Sequence, residues 1–448
     1  MKNFRLKIYS ICIVALLIST SCQKQGRLTV LGEDSSNLQA MEALKSEYEQ
    51  ENNVKIAFRP NTFEDAFNKA NQDFIHKTGL YDIVLQYNFS LSSYVRNEYV
   101  YCIDELLKMT NEQANTSFQD NLLFQNAWKE VGWYHKNPSN PQKGEIQKIG
   151  YPFATNTMLL VYNKKMFENA DNKKNYKEKY SEDLTIPTTW PQFRNVAEFF
   201  TTSSTYGVCM QGATDGWLYY EYCNFLFGMD GSVFDKQEKE YGWEGTQHTK
   251  ITINSPKAVA ATKLYKSLKP FNRGNYTTVD ATEQIKLLKE GNVAMGIVWS
   301  DYLYNFDKTG QNFGFAPIPG DKSPIAGGCF YVNKDTKNPQ EAMKYIMHLM
   351  QPNVQIELAK KGLCSPLKET YDNPEVQKIA YSEALRTSLS DDRAVYMFEA
   401  GVESEIVNQV ITNHIQRLWN NDNLKVEDIL EQIKQDIETG RNEAYKNL

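Results

Sequence analysis

The chain has 448 residues, of which 49 are Lys or Arg and 55 are Asp or Glu, for a formal net charge of −6 with neutral histidines. That balance argues against a nucleic-acid partner, and a hydrophobic content of 41% argues against disorder. The length exceeds what one ordinary core holds and points to two domains.

Lys2, Arg5 and Lys7 precede an uncharged apolar run over residues 8–18. The run is shorter than the roughly 20 residues a spanning helix needs, and Ser19, Thr20, Ser21 and Cys22 follow it directly. The layout is that of a signal peptide, and residues 17–22 resemble a bacterial lipobox. Residues 1–21 are therefore expected to be removed and Cys22 to carry a lipid, with 22–27 as a short tether. Loss of three cationic residues takes the formal charge from −6 to −9.

Residues 27–31 read as a strand, and Gly32-Glu33-Asp34-Ser35-Ser36-Asn37 as a polar loop with helix-start residues. Leu38, Met41, Leu44 and Tyr48 then recur at helical spacing, 54–59 alternate as a strand, Phe63, Phe67, Ala70 and Phe74 form a second helical face, and 81–85 suit a buried strand. Such alternation predicts a parallel sheet with helices on both faces. Ligands of such sheets bind beyond the carboxyl ends of the strands, which brings Gly32-Glu33-Asp34, Arg59-Pro60-Asn61 and Gln86-Tyr87-Asn88 around one crevice.

After a polar stretch over 136–148, a second lobe begins near Tyr151 with a strand over 157–162. Thr189 and Gln192 form a capping box ahead of Phe193, Val196 and Phe200. A helix over 281–290 stops at Gly291, and a strand over 293–298 ends at Trp299-Ser300-Asp301. Strands over 313–317 and 328–332 follow, then a helix from Asn338-Pro339 through Met350 with Glu341 as capping partner. Residues 403–445 are mostly helical. Trp190 and Trp419 lie on predicted helices and read as core.

Five cysteines remain beyond Cys22: Cys102, Cys209, Cys223, Cys329 and Cys364. Their spacing fits no zinc pattern and no compact disulfide framework, so they read as buried thiols. The five histidines are scattered without metal-ligand spacing. No metal or other cofactor is expected.

The run Tyr151-Pro152-Phe153-Ala154-Thr155-Asn156-Thr157-Met158-Leu159-Leu160-Val161-Tyr162-Asn163-Lys164-Lys165-Met166-Phe167 resembles a hallmark of the extracellular solute-binding proteins of bacterial ABC sugar importers, a family similar to maltose- and oligosaccharide-binding proteins. Pro187-Thr188-Thr189-Trp190, Lys289-Glu290-Gly291-Asn292-Val293-Ala294-Met295 with Trp299 behind it, Gly314-Phe315-Ala316-Pro317-Ile318-Pro319-Gly320 and Gly327-Gly328 follow in the family's order. The resemblance runs from about Leu28 to the C-terminus. It implies an α/β fold of two lobes, each a mainly parallel sheet flanked by helices and joined by hinge crossovers. Residues 28–150 and 314–361 would form lobe 1, and 151–313 and 362–448 lobe 2. It also implies a solute held between the lobes, delivery to a membrane permease, and no catalysis; a monomer is expected.

A sugar presents hydroxyls at its rim and C–H groups on its faces, so its site needs carboxylates or amides together with aromatic rings. The predicted strand ends supply Glu33, Asp34, Gln86 and Tyr87 from the first lobe. Tyr151 stands on the hinge side as a ligand or packing residue, and Trp217, Trp243, Trp299 and Asp301 come from the second lobe. Gly328 would let backbone amides approach a ligand. Trp299 matches the family's aromatic position after the Ala-Met strand. Many relatives carry an aspartate near the strand end after Val84, where this chain has Gln86-Tyr87-Asn88, which leaves the particular sugar open. Other readings are a non-sugar solute, a sensor that presents its loaded form to a receptor, and an exported glycosidase with two acids.

Overall fold

A computed structural model of the chain describes residues 26–110, 120–135, 146–214, 216–235, 250–306, 311–396 and 404–446. The N-terminal leader, Cys22 and Trp243 lie outside the described residues.

The first three strands are β1 (Gly26–Glu33), β2 (Val54–Asn61) and β3 (Ile83–Tyr87), and both neighbours of β1 run parallel to it. Helix Ser36–Asn52 joins β1 to β2 and ends at Asn53 in a left-handed conformation. Helix Phe63–His76 joins β2 to β3 and is capped by Thr62, whose hydroxyl accepts from the Asp65 amide. One sheet face packs Leu28, Val30, Ile83 and Leu85 against Leu38, Met41 and Ile346. The other packs Leu31 and Val84 against Ala70, Phe74 and Tyr331. Burial on both faces explains why the strands read as apolar runs. The third strand starts two residues later than predicted and runs on through Gln86 and Tyr87, so these belong to a strand and not to a loop.

Two short strands, β4 (Trp133–His135) and β5 (Ile146–Lys148), pair as a separate small sheet. The chain then enters β6 (Pro152–Asn163), a 12-residue strand in which only Tyr162 is not fully buried. It is longer at both ends than the 157–162 prediction, because pairing partners lie along its whole length. The remaining strands are β7 (Tyr206–Cys209), β8 (Val293–Trp299), β9 (Phe313–Pro317), β10 (Ser323–Val332) and β11 (Ala394–Tyr396). The main sheet has the order β2-β1-β3-β10-β6-β8-β7, with β11 beside β10 and β9 beside β6. Every antiparallel pairing in it involves β6 or β10, and all other pairings are parallel. The two lobes are thus stitched by two long crossing strands. Pro152 to Thr157 of β6 lie against β10, and Met158 to Asn163 lie against β8 and β9.

The second lobe packs Met158, Leu160, Met295 and Ile297 against Trp190, Phe193 and Phe225. Helices Ser404–Asn420 and Val426–Lys446 close it through Ile411, Leu418, Ile429, Ile433 and Ile437. Trp190 and Trp419 are both buried there. Thr189 and Gln192 make both halves of the predicted capping box, and Gly291 follows helix Ala281–Lys289 at φ +81°, a conformation costly for any residue with a side chain. Leu363, Leu367, Tyr371 and Leu385 bury in the same cluster as β1, β3 and helix Pro339–Leu349. That helix lacks the predicted side-chain cap. The Asn338 amide donates instead to Asp82 Oδ1 at 3.0 Å and to the Arg27 carbonyl, and Glu341 pairs with Lys344. Cys209, Cys223, Cys329 and Cys364 are buried, Cys102 is half-buried, and none is in a disulfide.

Gly328 sits where β10 passes both β3 and β6, opposite Tyr87 and Ala154. A Cβ there would lie 1.9 Å from the Phe153 ring, so the missing side chain serves ring packing. Gly328→Ala should cost about 1–3 kcal/mol as overpacking displaces Phe153. Denaturant unfolding measures this, and a variant as stable as the parent would contradict the packing account.

Candidate functional site

The carboxyl ends of β1, β3 and β8 converge on a cavity of about 50 Å³. Glu33 ends β1, Tyr87 ends β3 with Asn88 just beyond it, and Trp299 ends β8 ahead of a tight turn that carries Asp301 and Tyr302. Asn156 and Ala326 enter from the paired crossing strands, Phe63 from the first turn of helix Phe63–His76, and Trp217 and Tyr220 from helix Trp217–Gly228. Both lobes contribute.

The aromatic groups form a connected wall. Phe63 lies 5.6 Å from Tyr87 and 6.3 Å from Trp217 between ring centroids, Trp217 lies 6.4 Å from Tyr302, and Tyr220 meets Trp299 edge-on at 5.1 Å. Such tilted and edge-on pairs fix ring orientation. Ligand pockets commonly measure about 300–1,000 Å³. The space between the rings here measures about 50 Å³ and opens to solvent.

Within that wall stand two acids. Glu33 accepts hydrogen bonds from the phenols of Tyr87 and, at 3.2 Å, Tyr302. Burial pushes its carboxyl above the usual range, the phenols oppose that, and Asp34 adds to the rise. Asp301 accepts from Asn156 Nδ2 at 3.0 Å. Burial and the Glu33 charge push its carboxyl from 3.8 to about 7, against the pull of Asn156. The Ser36 hydroxyl lies 2.8 Å from the Asp301 carbonyl, which pins this turn to the helix that follows β1.

Of the residues expected at the site, Glu33, Tyr87, Trp217, Trp299 and Asp301 come together at the cavity. Asp34, Gln86, Tyr151 and Gly328 are placed elsewhere, and Trp243 lies outside the described residues. Asp34 is exposed and accepts from the Gln39 amide at 2.9 Å. Gln86 is 1% exposed and, by strand alternation, points to the sheet face opposite Tyr87. Tyr151 stacks on Trp128 at 5.6 Å with its hydroxyl toward Asp120, which is the packing alternative. Gly328 faces Phe153. Arg59-Pro60-Asn61, expected as a loop, forms the end of β2 and stays outside: the Asn61 carbonyl accepts from the Asp34 amide, and Phe63 reaches the cavity in its place.

Sequence reasoning passed over Phe63, Asn156, Tyr220, Tyr302 and Ala326, whereas Asn88 stands at a strand end where the crevice was expected. Two carried a signal. Tyr220 follows Trp217 by one helical turn and so shares its face, and Asn156 is an amide inside a strand otherwise reading as apolar.

The family of bacterial extracellular solute-binding proteins matches residues 43–382, and the chain belongs to it. Membership of an extracellular family makes it an exported protein. The maltodextrin-binding protein MdxE of Bacillus subtilis (strain 168) is 28% identical over 213 residues, an alignment that spans 44% of each chain. Among solved structures, an ABC transporter solute-binding protein from Agrobacterium radiobacter K84 in complex with ribitol is 17% identical, with 92% of this chain and 98% of that one covered at a TM-score of 0.73. Maltose-bound MalE3 of T. maritima is also 17% identical, with 92% and 99% covered at a TM-score of 0.71. These structures share the two-lobed α/β fold. Among the described residues no helix is long and apolar enough to cross a membrane.

The folded chain holds the Asp301 proton up to about pH 7, whereas the unfolded chain releases it near 3.8. The native state therefore binds more protons between those values, and stability falls as pH rises through that window. Asp301→Asn removes this loss while keeping an oxygen for Asn156. Its unfolding free energy relative to the parent, measured by denaturant titration, should rise from about pH 4 to about pH 8 by an amount on the order of 2–4 kcal/mol. A pH-independent difference would show that Asp301 titrates normally.

Proposed function

We propose that the protein captures a sugar or polyol between its two lobes and delivers it to the permease of an ABC importer, without chemical turnover. The observation that carries this reading is the cavity itself: aromatic rings and hydrogen-bonding carboxylates and amides converge there from strand ends of both lobes. Rings cover the C–H faces of a sugar and carboxylates accept from its hydroxyls. The crossing strands β6 and β10 act as the hinge region, and closure adds contacts across the cavity that the open form lacks. An anionic solute is opposed by Glu33 and Asp301. The ribitol and maltose bound by the two structural neighbours fit the same chemistry.

The protein acts as a monomer held at the membrane by a lipid on Cys22. Cys22→Ala should move it from the membrane fraction to the soluble fraction and leave solute affinity unchanged, because Cys22 precedes β1, the first strand of the folded lobes. A Cys22→Ala protein that still sediments with membranes would refute the anchor.

A calorimetric screen against sugars and polyols tests the capture role, and Trp299 tests its site. Trp299 is 6% exposed at the end of β8 and packs edge-on to Tyr220. Truncating a buried aromatic anchor commonly costs about 2 kcal/mol or more, so Trp299→Ala should weaken binding roughly 30-fold or more. A large loss of stability in the empty protein at unchanged affinity would make Trp299 a core residue and remove it from the site.

A further inference from the structure

We propose that the captured solute carries a protonated nitrogen, as in an amino or imino sugar, held between Glu33 and Asp301 within the aromatic wall. This narrows the carbohydrate reading above and rests on it. Among the described residues, those that line the cavity include two carboxylates and no Lys, Arg or His. Nor, among the described residues, does either acid have a cation among its hydrogen-bond partners, which are Tyr87 and Tyr302 for Glu33, and Asn156 with the backbone amides of Asp301 and Tyr302 for Asp301.

Buried acids elsewhere in the first lobe are differently treated. Asp82 receives the Thr29 amide, the Thr336 hydroxyl and the Asn338 amide, and Asp73 receives the amides of Leu80, Tyr81 and Asn333. Asp301 is 6% exposed, and its Oδ1 has no hydrogen-bond partner among the described residues. A buried charge left short of donors is costly unless something supplies them.

The two amides of the cavity add open acceptors. Asn88 and Asn156 are each 3% exposed, and each turns its NH₂ toward a carboxylate, on Glu130 at 2.7 Å and Asp301 at 3.0 Å. Those partners fix the amide orientations and leave Oδ1 of both residues without a donor. The phenol hydrogens of Tyr87 and Tyr302 are engaged by Glu33. Three acceptor oxygens are thus open, both phenol hydrogens are engaged, and each amide keeps one N–H beyond the one it gives to its carboxylate. A hydroxyl donates one hydrogen and also needs a donor for its own lone pairs, whereas an ammonium donates up to three and accepts none. Its charge is attracted to both carboxylates and to aromatic faces.

Calorimetric titration of the purified protein with D-glucosamine and 1-deoxynojirimycin, against D-glucose and N-acetyl-D-glucosamine, tests the nitrogen. Putrescine and choline serve as amines without a sugar. The basic sugars should bind roughly tenfold or more tighter than the neutral ones. Asp301→Asn and, separately, Glu33→Gln should shrink that preference to about threefold or less, with melting curves that establish a folded protein. Equal or tighter binding of the neutral sugars overturns the inference and leaves the carbohydrate reading intact. Binding of putrescine or choline alone supports the cation and overturns the sugar. Failure of all six probes to bind overturns both.

Discussion

Everything at the cavity depends on the pairing of two long buried strands, β6 with β10. Buried backbone groups must be hydrogen-bonded, and here the ladder runs from Cys329 opposite Pro152 to Ile325 opposite Thr157. Side chains alternate with a period of two, so a slip of one residue would turn every one of them to the other face. Asn156 and Ala326 are partners in this register, and both line the cavity. The same strands carry β3 on one side and β8 and β9 on the other. Fixing this pair fixes where Tyr87 and Trp299 end up.

The site runs against the physics that stabilises the rest of the molecule. Most of the interior is apolar packing, and the acids Asp73 and Asp82 are surrounded by donors. At the cavity, burial raises the proton affinity of both Glu33 and Asp301 instead, and the Glu33 charge adds to the rise at Asp301. A folded chain tolerates such a cost when other regions provide the stability, and binding sites are where the cost is found. Here the crossing strands and the two cores supply the frame that keeps the acids close.

The aromatic wall belongs to the same balance. Phe63, Trp217 and Tyr302 come from three separate segments, yet their rings are in sequence around one space. Tilted and edge-on contacts hold them apart from a collapsed stack. The Ser36 contact to the Asp301 carbonyl ties the turn of one lobe to the helix of the other. A wall assembled from both lobes is one that lobe movement can open.

Much of this architecture was legible in the chain. Helical spacing placed Leu38, Met41, Leu44 and Tyr48 on one helix, Thr189 and Gln192 announced a capping box, and Phe313 to Pro317 form a strand as read. These are local signals, governed by periodicity and by side chains three or four residues apart. The ordered motifs around Tyr151, Lys289 and Gly314 carried the family. What the sequence by itself determined is therefore the set of elements, their order and the strand ends at which a site would form. Which residue at each end faces the cavity was decided only by tertiary structure. Glu33 turns in while Asp34 turns out, and Tyr87 faces the cavity while Gln86 faces away. Neighbours in a strand point oppositely, and the choice between them is set by ladders with partners far along the chain. Asn156 and Asp301 meet across 145 residues, a distance over which no local pattern carries information, because only the register of β6 with β8 and β10 brings them together.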